Sequence, residues 1–220
     1  MAKSEWRTAE VRYDVGVDDV TAFILAGGRS SRMGTDKALL SLGKQTLLER
    51  ALDAAAIVAS TVFIVGPRER YSRYGNVVED VFPDCGPLGG IHAALCITQT
   101  ELNLMLSVDA PLMGPDFLAW LLEQARASSA LIVVPEALGG LQPLGAVYRR
   151  PLRAVAEQAL KRGDYKIGHL FPLVPTRYIS EAEIRAAGFS PMVFRNLNTS
   201  EEYQDLVQEE DALGVRGNGE

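Results

Sequence analysis

Cysteine and histidine are scarce in this chain, with two of each among 220 residues. Cys85 and Cys96 are too few for a disulfide framework, and by themselves too few for a structural zinc site. His92 and His169 show no partner pattern and read as structural residues. An excess of positive charge is also missing. The formal net charge of -6 argues against general nucleic-acid binding, which needs a basic face. No apolar run approaches the roughly 20 residues of a membrane helix. Residues 1–18 are charged throughout and lack the apolar stretch of a signal peptide. Together these absences make the cytoplasm the expected location, with neither nucleic acid nor membrane as a partner.

What is present is ordinary for a globular protein: 47% apolar and 23% charged residues. The length suits one α/β domain with a good core. We expect that domain over residues 19–209, flanked by a mobile leader at 1–18 and a mobile tail at 210–220. Apolar runs bounded by glycine and proline alternate with helical periodicity along the chain. Strands are expected at Val20–Leu25, Thr61–Val65, 76–81, 102–108, 131–134, 144–149 and 192–197. Helices are expected at 44–59, 86–95, 115–127, 151–161 and 200–208, the last capped by Ser200. This order predicts an α/β fold of three layers, a mostly parallel twisted sheet with helices on both faces. Ligands in such folds bind beyond the carboxyl ends of the strands.

One of those ends carries the densest information. After Leu25 the chain reads Ala26-Gly27-Gly28-Arg29-Ser30-Ser31-Arg32-Met33-Gly34-Thr35-Asp36-Lys37. Glycines let a backbone approach phosphate oxygens, and Arg29, Arg32 and Lys37 supply charge that amides cannot. The spacing fits neither a Walker loop nor the dinucleotide fingerprint. Two further strand ends add carboxylates. Ser107-Val108-Asp109-Ala110-Pro111 places Asp109 where it can hold Mg²⁺ by a hard oxygen ligand, or cap a turn. Glu79 and Asp80 lead into a second glycine-rich loop, Cys85-Gly86-Pro87-Leu88-Gly89-Gly90. A carboxylate there repels phosphate, so it should face a base, a ribose or a metal-bound water.

The pattern Leu25-Ala26-Gly27-Gly28-(x)3-Arg32-Met33-Gly34-x-Asp36-Lys37 resembles the signature loop of nucleotidyltransferases that join a nucleotide to a phosphorylated acceptor. Gly86-Pro87-Leu88-Gly89-Gly90-Ile91, Val108-Asp109-Ala110-Pro111-Leu112, Gln142-Pro143-Leu144-Gly145 and Asn196-Leu197-Asn198-Thr199-Ser200-Glu201-Glu202 are similar to the molybdenum cofactor guanylyltransferase family in particular. The resemblance spans about residues 20–209. It implies a Rossmann-like fold of the nucleotide-diphospho-sugar transferase type. It implies transfer of GMP from GTP to the terminal phosphate of molybdopterin, with Mg²⁺ as cofactor and pyrophosphate released. Delivery proteins for the molybdenum cofactor, or molybdoenzyme apoproteins, are the further partners it implies.

Carried over to these positions, Leu25, Ala26, Gly27 and Gly28 contact the nucleotide through backbone. Arg32 and Lys37 hold the triphosphate as catalytic cations. Asp80, Gly86 and Gly89 belong to the nucleotide side, Asp109 binds Mg²⁺ and acts in catalysis, and Asn196 and Asn198 serve the acceptor. Two positions depart from the family: Val65-Gly66 stands where many relatives carry Asn, and Gly163-Asp164-Tyr165-Lys166 holds one cation where a basic pair is common. A CTP-dependent enzyme, a sugar- or alcohol-phosphate acceptor, and a nucleotide-binding regulator without turnover are the alternatives.

Overall fold

A computed structural model describes residues 19–27 and 36–217. Its frame is one sheet in the order β10-β7-β9-β6-β1-β4-β5. The central strands are β1 (Val20–Leu25), β4 (Thr61–Val65), β5 (Asn76–Val78) and β6 (Leu102–Ser107), all mutually parallel. On the other side of β6 lie β9 (Gly145–Arg149), β7 (Ile132–Ala137) and β10 (Thr176–Ile179). Only β9 runs against its neighbours in this path, between β6 and β7. The short strand β8 (Gly140–Leu141) pairs with β7, and β2 (Ser41–Leu42) pairs with β3 (Gln45–Thr46) as a separate hairpin.

β1 is buried along its whole length because both of its faces are covered. Val20, Ala22 and Ile24 enter one apolar cluster, Phe23 and Leu25 another. Helices α1 (Leu47–Val58) and α4 (Pro115–Arg126) pack together on the first face. α3 (Gly86–Ile97) and α5 (Leu152–Lys161) pack together on the second. The three-layer arrangement expected from the alternation of elements is therefore present. Among the described residues no helix is long and apolar enough to cross a membrane.

Local chemistry explains where expected and observed boundaries part. α1 starts at Leu47, three residues later than expected, because Thr46 and Glu49 form a capping box with bonds of 3.2 and 2.8 Å. Lys44 instead follows Gly43, whose φ of 62° turns the β2–β3 hairpin. β10 and α6 (Glu181–Ala186) were not expected, although Ser180 and Glu183 form a second capping box that is legible in sequence. The strand expected at 192–197 does not form. Pro191–Phe194 is a 3₁₀ turn, capped by the Ser190 hydroxyl, and Leu197 donates its amide to the Asp109 carbonyl at 2.8 Å rather than to a ladder. α7 (Ser200–Gly217) runs past the expected end at 208. Its cap is Thr199, whose hydroxyl accepts from Glu202 N at 3.1 Å while Glu202 accepts from Thr199 N, so Ser200 is its first helical residue.

Candidate active site

The parallel strands β1, β4, β5 and β6 deliver their carboxyl ends to one edge of the sheet, where Leu25, Ala26, Gly27, Asp80 and Asp109 stand at or just past the strand ends. Gly28, Arg29 and Arg32 lie outside the described residues, as does the leader expected at 1–18. The stretch just after β1 is tightly held. Ala26 and Gly27 both donate their amides to the Val65 carbonyl, at 3.0 and 3.1 Å. The Leu25 carbonyl accepts from Val108 N at 3.3 Å, and the Ala26 carbonyl accepts from the Tyr71 hydroxyl at 3.1 Å. The amides of Ala26 and Gly27 and the carbonyl of Ala26 are thus engaged within the protein.

A cavity of about 610 Å³ opens beside Gly27. Gly66, Glu79, Asp80, Asp84 and Gly86 help line it. Sequence reasoning singled out Asp80 and Gly86 and passed over Asp84. Three carboxylates on one wall suit a ligand rich in N–H and O–H donors and disfavour phosphate. Arg68 lies 3.5 Å from Glu79, an exposed pair of small energetic weight. Asp80 is open to solvent along its outer side, yet the carboxylate stands against the first turn of α3, and desolvation there pushes its pKa up. A side chain at Gly66 would press on its neighbours, so a larger residue there requires the Tyr71 ring to shift. A Cβ there would lie 3.0 Å from the Tyr71 ring and 3.3 Å from Gly27 N.

Gly89 supports this wall by its lack of a side chain. A Cβ would meet the Phe82 carbonyl at 2.9 Å and Asp80 Oδ2 at 3.8 Å. Gly89→Ala should therefore displace the loop carrying Asp80 and cost about 1–3 kcal/mol of stability. A urea denaturation series against Gly168→Ala, whose Cβ would meet open space, measures it. Equal midpoints for the two variants contradict the packing role.

A second cavity, about 200 Å³, lies at the end of β6. Asp109, Asn196, Ser107, Gln142, Leu144 and Phe194 are among its walls. The Ser107 hydroxyl donates to Asp109 Oδ1 at 2.5 Å, which fixes the carboxylate's orientation. The Gln142 amide nitrogen is spent on the Ala137 carbonyl at 2.8 Å, stiffening the β7–β8 turn. Lys37 opens the 3₁₀ turn Lys37–Leu39, and its ammonium reaches Asn198 Oδ1 at 3.5 Å. The structure thereby joins Asp109 with Asn196, Lys37 with Asn198, and Gly27 with Asp80 and Gly86.

The two histidines each have a partner within the fold. His92 is buried, 3.5 Å from Cys96 Sγ and edge-on to Phe82, and burial pushes its pKa down. His169 finds a partner that sequence did not reveal, Asp164 at 2.9 Å, and this bond holds the Asp164 carboxyl below the usual range. Asp109 is the carboxylate at the end of β6. No group of three His, Cys, Asp or Glu side chains converges among the described residues, so a cage made wholly of protein ligands is absent there. Mg²⁺ commonly takes one or two carboxylates, with phosphate and water completing its octahedron, and Asp109 meets that requirement.

Residues 22–173 match the MobA-like NTP transferase domain family. A probable molybdenum cofactor guanylyltransferase of Pelotomaculum thermopropionicum is 37% identical over 190 residues, covering 86% of this chain and 90% of that protein. The molybdenum cofactor guanylyltransferase of Vibrio cholerae is 33% identical, covering 84% and 89%. Among solved structures, molybdopterin-guanine dinucleotide biosynthesis protein A from Archaeoglobus fulgidus superposes with a TM-score of 0.76 at 22% identity, covering 87% and 99%. At that identity the likeness is one of fold.

Proposed function

The chain belongs to the MobA-like NTP transferase family, and from that premise we propose that it transfers GMP from GTP to the terminal phosphate of molybdopterin. The products are the guanine dinucleotide cofactor and pyrophosphate. One observation carries this reading: two cavities at one sheet edge, acidic on the β4–β5 side and bearing Asp109 and Asn196 at the end of β6. The first takes the nucleoside. Guanine offers N1–H and N2–H₂ together on one edge, which a carboxylate accepts in parallel. Adenine and cytosine each offer a single exocyclic amino group on that edge. The second cavity takes the acceptor.

In the reaction an oxygen of the acceptor phosphate bonds to the α-phosphorus of GTP. The bond from that phosphorus to the bridging oxygen breaks, and pyrophosphate leaves with its electron pair. The attacking phosphate is already anionic, so no general base is required, consistent with a site that uses neither histidine nor cysteine. Lys37 orients and neutralises the triphosphate, and the Asn196–Asn198 segment holds the acceptor beside it. Arg32 shares the cationic role. Asp109 would hold Mg²⁺, whose charge lowers the cost of crowding anionic oxygens around the α-phosphorus. The cytoplasm, where GTP is made, is the proposed location, and proteins that deliver or receive the molybdenum cofactor are the proposed partners.

GTP should be preferred over CTP and ATP by at least about tenfold in affinity, as one extra well-placed hydrogen bond to a carboxylate provides. Calorimetric titration with each nucleotide and Mg²⁺ checks this. A preference for CTP would assign the protein to the cytidylyl branch of the same chemistry.

A further inference from the structure

Tyr71 belongs to none of the motifs that mark the site, yet its side chain reaches the phosphate side twice. It ends the short helix α2 (Arg68–Tyr71) and is buried. Its hydroxyl stands 2.8 Å from Asp36 Oδ2 and 3.1 Å from the Ala26 carbonyl. A phenol has one proton, so the charged acceptor takes its larger share and the carbonyl the remainder. Burial, together with the Asp36 carboxylate, pushes the Tyr71 pKa far up, so the hydroxyl stays a donor across the working pH range. Asp36 Oδ1 meanwhile accepts from Ala38 N at 3.1 Å and caps the turn that carries Lys37. The ring is wedged against Gly66, where a Cβ would lie 3.0 Å from it. Arg70 lies 3.8 Å from the same carboxylate but is exposed, and it adds little.

We infer that Tyr71 is a positioning residue for nucleotidyl transfer: its hydroxyl ties the end of β1 at Ala26 to the Asp36–Lys37 turn and so sets where the Lys37 ammonium stands. The chain of contacts runs from Ala26 through Tyr71 and Asp36 to the backbone on either side of Lys37. Residues from two separate parts of the chain are thereby held in one frame by a third. The identity of the reaction rests on the guanylyltransferase reading, while the role of Tyr71 requires only that Lys37 meets a triphosphate.

The test is Tyr71→Phe, which keeps the ring against Gly66 and removes only the hydroxyl, with Asp36→Asn altering the same bond from its other end. Pyrophosphate release from GTP and molybdopterin gives kcat and KM, and calorimetry gives GTP and GMP affinities at one Mg²⁺ concentration. Both variants should lower kcat about tenfold, the usual scale for a small misplacement of a catalytic group. GTP affinity should fall severalfold and GMP affinity by less than about twofold, because GMP lacks the β- and γ-phosphates, which carry most of the charge that Lys37 neutralises. On a Lys37→Ala background the loss of the hydroxyl should add less than about twofold. Unchanged kcat and an unchanged ratio of GTP to GMP affinity in folded Tyr71→Phe overturn the assignment, as do multiplicative effects in the double variant. A wild-type protein that binds GTP but releases no pyrophosphate removes the guanylyltransferase reading, and the binding ratio still decides Tyr71. If CTP binds more tightly than GTP, CTP and CMP replace the guanine pair. Failure to bind any triphosphate overturns both.

Discussion

Lys37→Ala should lower kcat by about 10²–10³-fold, the scale seen when one preorganised donor to a developing oxyanion is removed. Lys37 sits in a turn anchored from both sides, by the Asp36 cap and by the bond from Leu40 N to the Lys37 carbonyl at 3.1 Å. Its only described side-chain partner is Asn198, at the long limit of a hydrogen bond. A cation held in place by its backbone, with so weak a partner, can turn to substrate at little energetic cost. The same weak partnership predicts that folding barely notices the substitution, so the melting temperature should stay within about 2 °C of wild type. Single-turnover pyrophosphate release measures the rate. Wild-type turnover in the variant would remove Lys37 from the mechanism.

Asp109→Asn should cost a similar factor, about 10²–10³ in kcat, and should also raise the Mg²⁺ concentration needed for half-maximal rate. The substitution is close to isosteric. Asn retains an oxygen able to accept from Ser107, and the Asp109 backbone still receives Leu197 N at 2.8 Å. What disappears is one negative charge facing the acceptor cavity. A titration of rate against Mg²⁺, run for both proteins, separates the two possible roles of this residue. If the curve keeps its midpoint while kcat falls, Asp109 orients the turn and another group holds the metal. If neither changes, Asp109 is a turn residue alone.

The two substitutions probe different sides of one reaction centre, and their combined effect is informative. Lys37 and Asp109 both connect to the 196–198 segment, through Asn198 and through Leu197. Groups that act on the same transition state through a shared support show strongly non-additive losses. The double variant is expected to lose less than the product of the two single losses.

Much of the frame is legible in the amino-acid sequence. β1 and β4 have the expected bounds because Val20–Leu25 and Thr61–Val65 are short, mostly apolar runs with glycine following at Gly27 and Gly66, the pattern of strands inside a parallel sheet. α4 begins at Pro115 as expected, since proline at a first helical position loses no hydrogen bond. The strand expected at 192–197 fails for an equally physical reason. Pro191 and Phe194 are buried in a 3₁₀ turn, where Phe194 meets Phe117 of α4 edge to face at 5.1 Å, while Val193 is only partly buried and Leu197 is buried beyond the turn. Apolar content signals burial there, and the period is too short to say which backbone supplies it.

The family, the strand ends that carry chemistry, and the residue types at each are legible in the chain alone: glycines and cations after β1, carboxylates after β5 and β6. These are local properties, because a turn's conformation and a strand's burial depend on neighbouring residues. Which of them meet depends on long-range packing. Lys37 and Asn198 are 161 positions apart, and Tyr71 stands 45 positions from Ala26 and 35 from Asp36. Nothing in Arg68-Glu69-Arg70-Tyr71 marks the tyrosine as different from any buried aromatic. Its role arises from the order β6-β1-β4-β5, which places the segment after β4 beside the end of β1. The hydroxyl then finds two acceptors brought to one point by the register of the sheet.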